Sequence, residues 1–252
     1  MVLHAWRLDD DHNTHENIIQ ESTIVCASWM LVDIDKKPSS ASILNHRARF
    51  NKSVYDDYHV IKTMLPVMDK ADVWLGQNID SFDLKIIFWR AKWHGFKPIV
   101  PKPTIDTLKE SRKVFRPPTH RLDYKSKVKE LGGKVRVDGQ LWRDITQWDY
   151  PPERALRDRN KAVDAIKKMV EYNRKDVMDT AAVYLDERAN YKKHPNRMLF
   201  DPLEFGCRVC GSKDLKKRGF NIKVSGKYQI YQCKSCGHVT QACRASFMSQ
   251  YR

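Results

Sequence analysis

Four cysteines near the end of the chain carry the most legible chemistry. Cys207-Arg-Val-Cys210-Gly and Cys233-Lys-Ser-Cys236-Gly are two Cys-x2-Cys-Gly knuckles, with 22 residues between Cys210 and Cys233. Four thiolates at this spacing form a closed tetrahedral site for a structural Zn²⁺. Gly211 and Gly237 relieve the tight turns, so backbone N–H groups can reach the sulfurs. With four thiolates in place, His238 and Cys243 are not needed as ligands. Nothing marks the chain as secreted, so its cysteines fit a reducing compartment and metal ligation rather than disulfides. Cys26 stands apart in an apolar run and reads as a buried core thiol.

A second group of residues bears carboxylates. In Trp74-Leu-Gly-Gln-Asn78-Ile-Asp-Ser-Phe82-Asp83-Leu84 a strand ends near Gly76 and a helix starts near Ser81, its expected N-cap. Asp83 then falls in the first helical turn, where free N–H groups and the macrodipole favour an ionised carboxylate. Such a group suits a Mg²⁺ or Mn²⁺ ligand. The plainer alternative is that Asp83 only stabilises its helix terminus. Further on, Tyr172-Asn-Arg-Lys-Asp176 places a tyrosine and an aspartate four apart on a helix, so they share one face. Asp176 can then bind a metal while the Tyr172 hydroxyl positions a water. The plainer alternative is a surface Tyr–Asp pair.

Taken together, Asn78-x3-Phe82-Asp83 and Tyr172-x3-Asp176 resemble the second and third motifs of the DEDD 3′–5′ exonucleases, in the subgroup with a tyrosine in its third motif. Proofreading domains of family B DNA polymerases are of this type. Ile105-Asp-Thr-Leu-Lys, His120-Arg-Leu-Asp-Tyr and Leu141-Trp142 resemble connecting segments of stand-alone phage and bacterial members. The resemblance covers residues 1–190 and implies an RNase H-like α/β fold, a mixed sheet flanked by helices. It also implies two-metal hydrolysis, with Asp83 and Asp176 as Mg²⁺ or Mn²⁺ ligands and Tyr172 orienting water. Asn78 would contact substrate or brace its loop, Phe82 would contact substrate, and Asp106 is a weaker candidate, with a structural role as the alternative. The cysteine segment in turn resembles a zinc ribbon, in which the metal supplies most of the fold energy.

The first motif of that family, Asp-x-Glu at the end of the central strand, is not where it is expected. In relatives it lies just upstream of a segment like Met1–Trp6. Asp33-Ile-Asp35 mimics the spacing, but the Lys-Lys-Pro-Ser-Ser after it suits a hairpin tip; Asp9-Asp10-Asp11 lacks a preceding strand. Three explanations stand: a start assigned too late or a truncated chain, a catalytically impaired variant that still binds nucleic acid, or an internal acid replacing the motif. A sheet lacking its first strand leaves unpaired backbone groups, a gap that an oligomer or a rearranged N-terminus would fill.

The elements that must position these groups follow from periodicity. Residues 1–20 read as an irregular lead-in. Ser22–Val32 fits a buried strand, Asp33–Ser40 a turn and Ala41–Asn45 a returning strand. Asp56–Ala71 has helical spacing, Asp72–Gly76 is strand-like, and Asp83–Gly95 is a helix. Ile105–Val114 and Leu122–Leu131 read as helices. Residues 134–151 read as irregular, with Trp142 and Trp148 as packing anchors, and Arg154–Asn190 as one or two long helices. These divide into an RNase H-like domain, residues 1–195, and a zinc ribbon, residues 196–252.

Composition frames the partner. The net charge is +15, and residues 201–252 hold 10 Lys/Arg against 3 Asp/Glu, so a fifth of the chain carries nearly half the excess. A polyanionic partner fits, a nucleic acid with DNA favoured over RNA. Lys216, Lys217, Arg218 and Lys223, interleaved with Phe220, Tyr228 and Tyr231, suit phosphate contact and base stacking; Lys216, Lys217, Arg218, Lys223 and Tyr228 are the candidate contacts. The plainer alternative is a hairpin whose Phe220 and Tyr231 pack over the metal. No run of eighteen apolar residues or signal-peptide pattern is found, so no membrane contact is expected. The resemblance, with this charge, implies a metal-dependent 3′–5′ exonuclease in the cytoplasm of a bacterium or phage-infected host. The competing readings are a nucleic-acid-binding protein of the same fold without the chemistry, and a proofreading or accessory subunit of a replication complex.

Overall fold

A computed structural model describes the backbone of residues 2–7 and the chain over residues 22–131, 139–146, 159–199 and 205–241. It forms two compact units, Met1–Lys109 with Thr119–Ala181, and Glu110–Pro118 with Ala182–Arg252. No helix among the described residues is long and apolar enough to cross a membrane.

The first unit is a mixed α/β assembly around a five-stranded sheet. Its strands are β1 (Val2–Arg7), β2 (Ile24–Met30), β3 (Ser39–Ser42), β4 (Trp74–Gly76) and β5 (Thr104–Asp106), in the order β3-β2-β1-β4-β5. β1, β2 and β3 pair antiparallel, whereas β1, β4 and β5 pair parallel. All seven residues of β2 are buried, which explains its near-continuous apolar sequence: both faces of the strand are covered. The Cys26 thiol lies within it, and burial pushes it up to about 12. It is an inert core thiol, as its apolar setting suggested.

Helices supply the covering layers. Short α1 (Arg47–Phe50) precedes α2 (Tyr58–Lys70), whose Val60, Ile61, Met64 and Met68 form one buried face at helical spacing. α3 (Asp83–Trp93) follows β4 and buries Leu84, Ile86, Ile87 and Ala91. α4 (Thr107–Val114), α5 (Leu122–Val128), α6 (Gly139–Thr146) and α7 (Arg159–Glu187) complete the helices. Ile166, Met169 and Tyr172 of α7 join the same core as Ile24, Trp74 and Ile87, with Leu141 and Trp142 packed against it. Trp142 is therefore an anchor, while Trp148 lies outside the described residues.

One polar cluster ties these layers together. Asp57 is completely buried. It accepts from Ile24 N (2.9 Å), at the start of β2, and from Arg90 Nε (2.8 Å) and Nη2 (2.7 Å), on α3. His94 Nε2 lies 2.5 Å from its other oxygen.

Five expectations change. The returning strand is Ser39–Ser42 rather than Ala41–Asn45, and Ile43–Asn45 is a turn of 3-10 helix. The sheet has no gap, because Val2–Arg7 is not irregular but lies between β2 and β4, paired along β2 and, at Val2, with Leu75 of β4. The segment from Ile105 is not all helix: Ile105 and Asp106 pair with Leu75 and Gly76, and the helix begins at Thr107. Residues 139–146 are helical, with one face packed on the core. Ser81 is not the cap of α3, which has Phe82 in that place. Backbone bonds from Ser81 and Phe82 to the Asn78 carbonyl close the turn without a side-chain cap.

In the second unit, β6 (Leu215–Lys223), β7 (Gly226–Cys233) and β8 (Val239–Gln241) form an antiparallel sheet in that order. The sheet is tied to the chain preceding it: His238 Nδ1 lies 2.8 Å from the Ala189 carbonyl, and Arg197 N donates to the Arg208 carbonyl at 2.7 Å.

Candidate functional site

The carboxyl end of β4 sets the first part of the site. After Gly76 the chain turns sharply through Asn78, whose φ is +63°. Asparagine tolerates that left-handed conformation better than most residues with a side chain. The turn delivers Asp83 to the first residue of α3, where it is buried, 2% exposed. Phe82 and Asn78 are half-buried.

Asp106, at the end of the neighbouring strand, fixes this turn. Its Oδ1 accepts from Asn78 N at 3.0 Å, and from Leu108 N and Lys109 N at 3.0 and 3.2 Å. One oxygen thus braces the Asn78 turn and caps α4. Of the two readings of Asp106, a weaker site candidate or a structural residue, these bonds describe a structural role. Lys109 Nζ reaches Asp80 Oδ2 at 2.8 Å, a second tie between α4 and the turn.

Tyr172 and Asp176 lie one turn apart on α7, with Tyr172 buried and Asp176 half-buried. Burial pushes the Tyr172 hydroxyl well above its usual value, and the charge of Asp176, a hydrogen bond to that carboxylate, and the charges of Asp123 and Asp179 push the same way. The hydroxyl therefore stays protonated and donates. Asp179 is neutralised by Lys175, whose Nζ lies 2.8 Å from both its oxygens.

Residue reading missed Asp123. The structure shows its half-buried side chain in the first turn of α5, acting on Tyr172. The segment that contains it also meets the β4 turn, because Gln77 Nε2 donates to the His120 carbonyl at 3.0 Å. Thus the His120 carbonyl touches one motif, and the charge of Asp123 is felt at the other. The available signal was His120-Arg-Leu-Asp-Tyr itself, which carries an acid among its residues.

Other acids are placed elsewhere. Asp33 and Asp35 lie at the turn between β2 and β3, with Asp33 at φ +67° and Asp35 Oδ2 accepting from Leu31 N at 2.7 Å. They form the hairpin tip that the following residues suggested. Asp9, Asp10 and Asp11 lie outside the described residues. Among the described residues, the four cysteines are the one group of three or more His, Cys, Asp or Glu side chains whose ligand atoms converge.

That group fits a metal such as zinc. The four sulfurs lie within 4.8 Å of one another. Cys207 and Cys236 are 3.6 Å apart and Cys210 and Cys233 3.5 Å. A tetrahedral Zn²⁺ with bonds of about 2.3 Å would set its sulfurs about 3.8 Å apart. The knuckles repeat each other: Gly211 N donates to Cys207 O at 2.8 Å and Gly237 N to Cys233 O at 2.9 Å, with φ of +78° and +79° at the two glycines. Burial raises the Cys233 thiol, but hydrogen bonds from the Cys236 amide, Cys210 and the Ser235 amide bring it down to about 7. Donors aimed at the sulfur in this way stabilise the thiolate that a metal needs. Val209 and Leu215 pack around the cluster. Phe220 does not, being 53% exposed, and Tyr231 packs edge-on against Phe205.

The basic hairpin residues Lys216, Lys217, Arg218 and Lys223 are exposed and Tyr228 is half-buried. The strand register does not gather them on one face. Lys217 lies opposite Tyr231, whereas Lys216 lies opposite Gln232 and Tyr228 opposite Asn221.

No protein-family model matches the chain, and no curated protein matches it. Over 75% of its length the fold is similar to part of a solved family B DNA polymerase from the hyperthermophilic archaeon Pyrobaculum calidifontis, with a TM-score of 0.49 and 12% identity. The match takes in 24% of that polymerase, so this chain spans about a quarter of its length. A likeness at that level says nothing of what this chain binds.

Proposed function

We propose that the first unit is a metal-dependent 3′–5′ exonuclease of the DEDD class with a tyrosine in its third motif, built on an RNase H-like sheet, and that the second holds a structural Zn²⁺ in a zinc ribbon. The observation that carries the first part is the bridging segment His120–Asp123. It meets Gln77, next to Asn78, and it acts on Tyr172, next to Asp176. Ties of this kind support a site shared by two motifs that lie 89 residues or more apart in sequence. The mixed sheet with its parallel β1, β4 and β5 also supports the reading, since Asp83 follows directly from the end of β4.

Asp83 and Asp176 would hold Mg²⁺ or Mn²⁺, which would supply Lewis-acid charge for phosphodiester hydrolysis. The described residues offer these two carboxylates, short of the four that a site of this class uses. Tyr172, protonated and hydrogen-bonded to Asp176, orients the attacking water. Asn78 and Phe82 face the terminal nucleotide. The substrate is nucleic acid, DNA before RNA, in keeping with the net charge of +15. An accessory role beside a polymerase extends the same chemistry.

A second reading draws on Asp33 and Asp35. Their place at a hairpin tip removes them as substitutes for the first motif, and a chain without that motif would bind nucleic acid without cutting it. Digestion of a 3′-labelled strand in Mg²⁺ or Mn²⁺ separates the two. Cleavage that is lost in Asp83→Asn and in Asp176→Asn supports the enzyme. Cleavage that survives in both variants sinks the site assignment, and binding without cleavage by the parent chain favours the second reading.

A further inference from the structure

Between residues 215 and 233 the hairpin carries five Lys/Arg and no Asp/Glu. Its register divides these charges between two faces, because residues opposite each other in an antiparallel pair share a face. Phe220 opposes Gln229 and Ile222 opposes Lys227; beyond a bulge at residues 218–219, Lys217 opposes Tyr231. Phe220, Ile222, Lys227 and Lys217 therefore share one face. Asn221, Lys223, Tyr228, Lys216 and Gln232 lie on the other.

Gln229, opposite Phe220, is buried and donates to the Gly219 carbonyl at 2.6 Å; around it the two faces differ in how far their groups are engaged. On the second, Asn221 Nδ2 donates to Gln241 Oε1 at 3.1 Å, Arg218 Nε donates to Gln232 Oε1 at 2.7 Å, and the Tyr228 hydroxyl lies 2.9 Å from that of Ser225. On the first, Phe220 is 53% and Ile222 78% exposed. The Lys227 ammonium sits 4.0 Å from the centre of the Phe220 ring. An exposed cation–ring contact of this kind is weak, so the ammonium exchanges readily to a phosphate and uncovers the ring.

We propose that the Phe220 face is a platform for the unpaired bases of a single nucleic-acid strand, with Phe220 and Ile222 under the bases and Lys217 and Lys227 on the phosphates. This rests on the reading of the chain as directed at nucleic acid and names the form of strand that the ribbon takes. The occupant follows from complementarity. A flat ring and an aliphatic side chain between cations, with no acid on the hairpin, match a ligand that is apolar and planar at its bases and anionic along its backbone. A duplex hides its base faces within the stack, so the ring discriminates in favour of an unpaired strand.

Fluorescence polarisation of a labelled oligo-dT with the full chain, without added divalent cation, tests this apart from cleavage. Phe220→Ala should weaken single-strand binding about five- to a hundredfold, and Phe220→Trp should retain it. Lys227→Gln should lower the slope of log affinity against log salt by about 0.7, one phosphate contact on a single strand. Unchanged binding by Phe220→Ala overturns the proposal, as does equal loss of single-strand and duplex binding. Displacement of the strand by poly-glutamate as effectively as by unlabelled oligo-dT also overturns it, since stacking would then contribute nothing. Because polarisation is read without cleavage, failure here leaves the exonuclease assignment standing, and loss of that assignment leaves this measurement valid.

Discussion

The amide of Asn78 donates to Asp106 Oδ1 at 3.0 Å, across 28 residues of sequence. The same oxygen takes the Leu108 and Lys109 amides. Asp106 thus holds three backbone donors, while its Oδ2 is buried without a hydrogen bond, 4.0 Å from Lys109 Nζ. Asp106→Ala removes a cap and leaves the Asn78 amide without this acceptor, an expected loss of about 1–3 kcal/mol. Denaturant midpoints check the magnitude. Asp106→Asn should recover part of it, because the amide oxygen can still accept. A midpoint shift of Asp106→Ala within error of the parent would remove Asp106 from this role.

Tyr172 gives a sharper test of the proposed chemistry than either carboxylate. Tyr172→Phe keeps the ring in the core and deletes the hydroxyl that bonds to Asp176. If that hydroxyl orients water, cleavage of a 3′-labelled strand should fall about a hundredfold, with strand binding unchanged. Because the hydroxyl is held protonated, its own ionisation should not limit activity at any pH below its ordinary range. An activity rise that tracks deprotonation of a tyrosine near neutrality would contradict the assignment.

Asp57 makes the stability of the first unit sensitive to acid. Burial alone would raise its carboxyl, but hydrogen bonds from His94 and Arg90, the Arg90 charge and the Ile24 amide hold it below the ordinary carboxylate value. A carboxylate with its folded value below its unfolded value contributes stability above the unfolded one, about 3.9, and loses it as pH falls through the folded one. The contribution is therefore complete at neutral pH and declines below about pH 4. Melting temperatures from pH 7 to pH 3 should show that acid limb, and Asp57→Asn should flatten it. Arg90→Met, which strands the buried carboxylate, should cost about 3–5 kcal/mol at pH 7.

What could be read from residues alone was what is local. β2 is legible because seven consecutive apolar or small residues leave little else for it to be, and the knuckles are legible because ligand spacing is a short-range property. The strand Val2–Arg7 was missed because only its neighbours on either side, one of them more than 60 residues away, make it a strand. The role of Asp106 depends on β4 pairing with β5, which no local pattern discloses. Plain alternation along β6 would put Lys217 on the face of Lys223. The bulge, with Gly219 at φ +100°, adds a residue and moves it to the face of Phe220. Asp123 is not legible from sequence, because its charge reaches Tyr172 across 49 residues that no local pattern relates.

The ribbon should depend on its metal more than on its apolar packing. Its buried cluster is small, Cys207, Val209 and Cys233, with Leu215 and the other two cysteines against it. So few apolar side chains cannot offset the entropy of ordering three strands. Zn²⁺ binding in small four-ligand modules, by contrast, supplies about 10–16 kcal/mol at neutral pH. Elemental analysis should find one zinc per chain, and none bound tightly in Cys207→Ser with Cys233→Ser. On removal of the metal by a chelator, amides of β6 and β7 should lose protection from hydrogen exchange while those of β2 and α2 keep theirs. Protection of β6 and β7 that survives complete removal of the metal would mean that the strands hold themselves, and the thiolate cluster would then need another explanation.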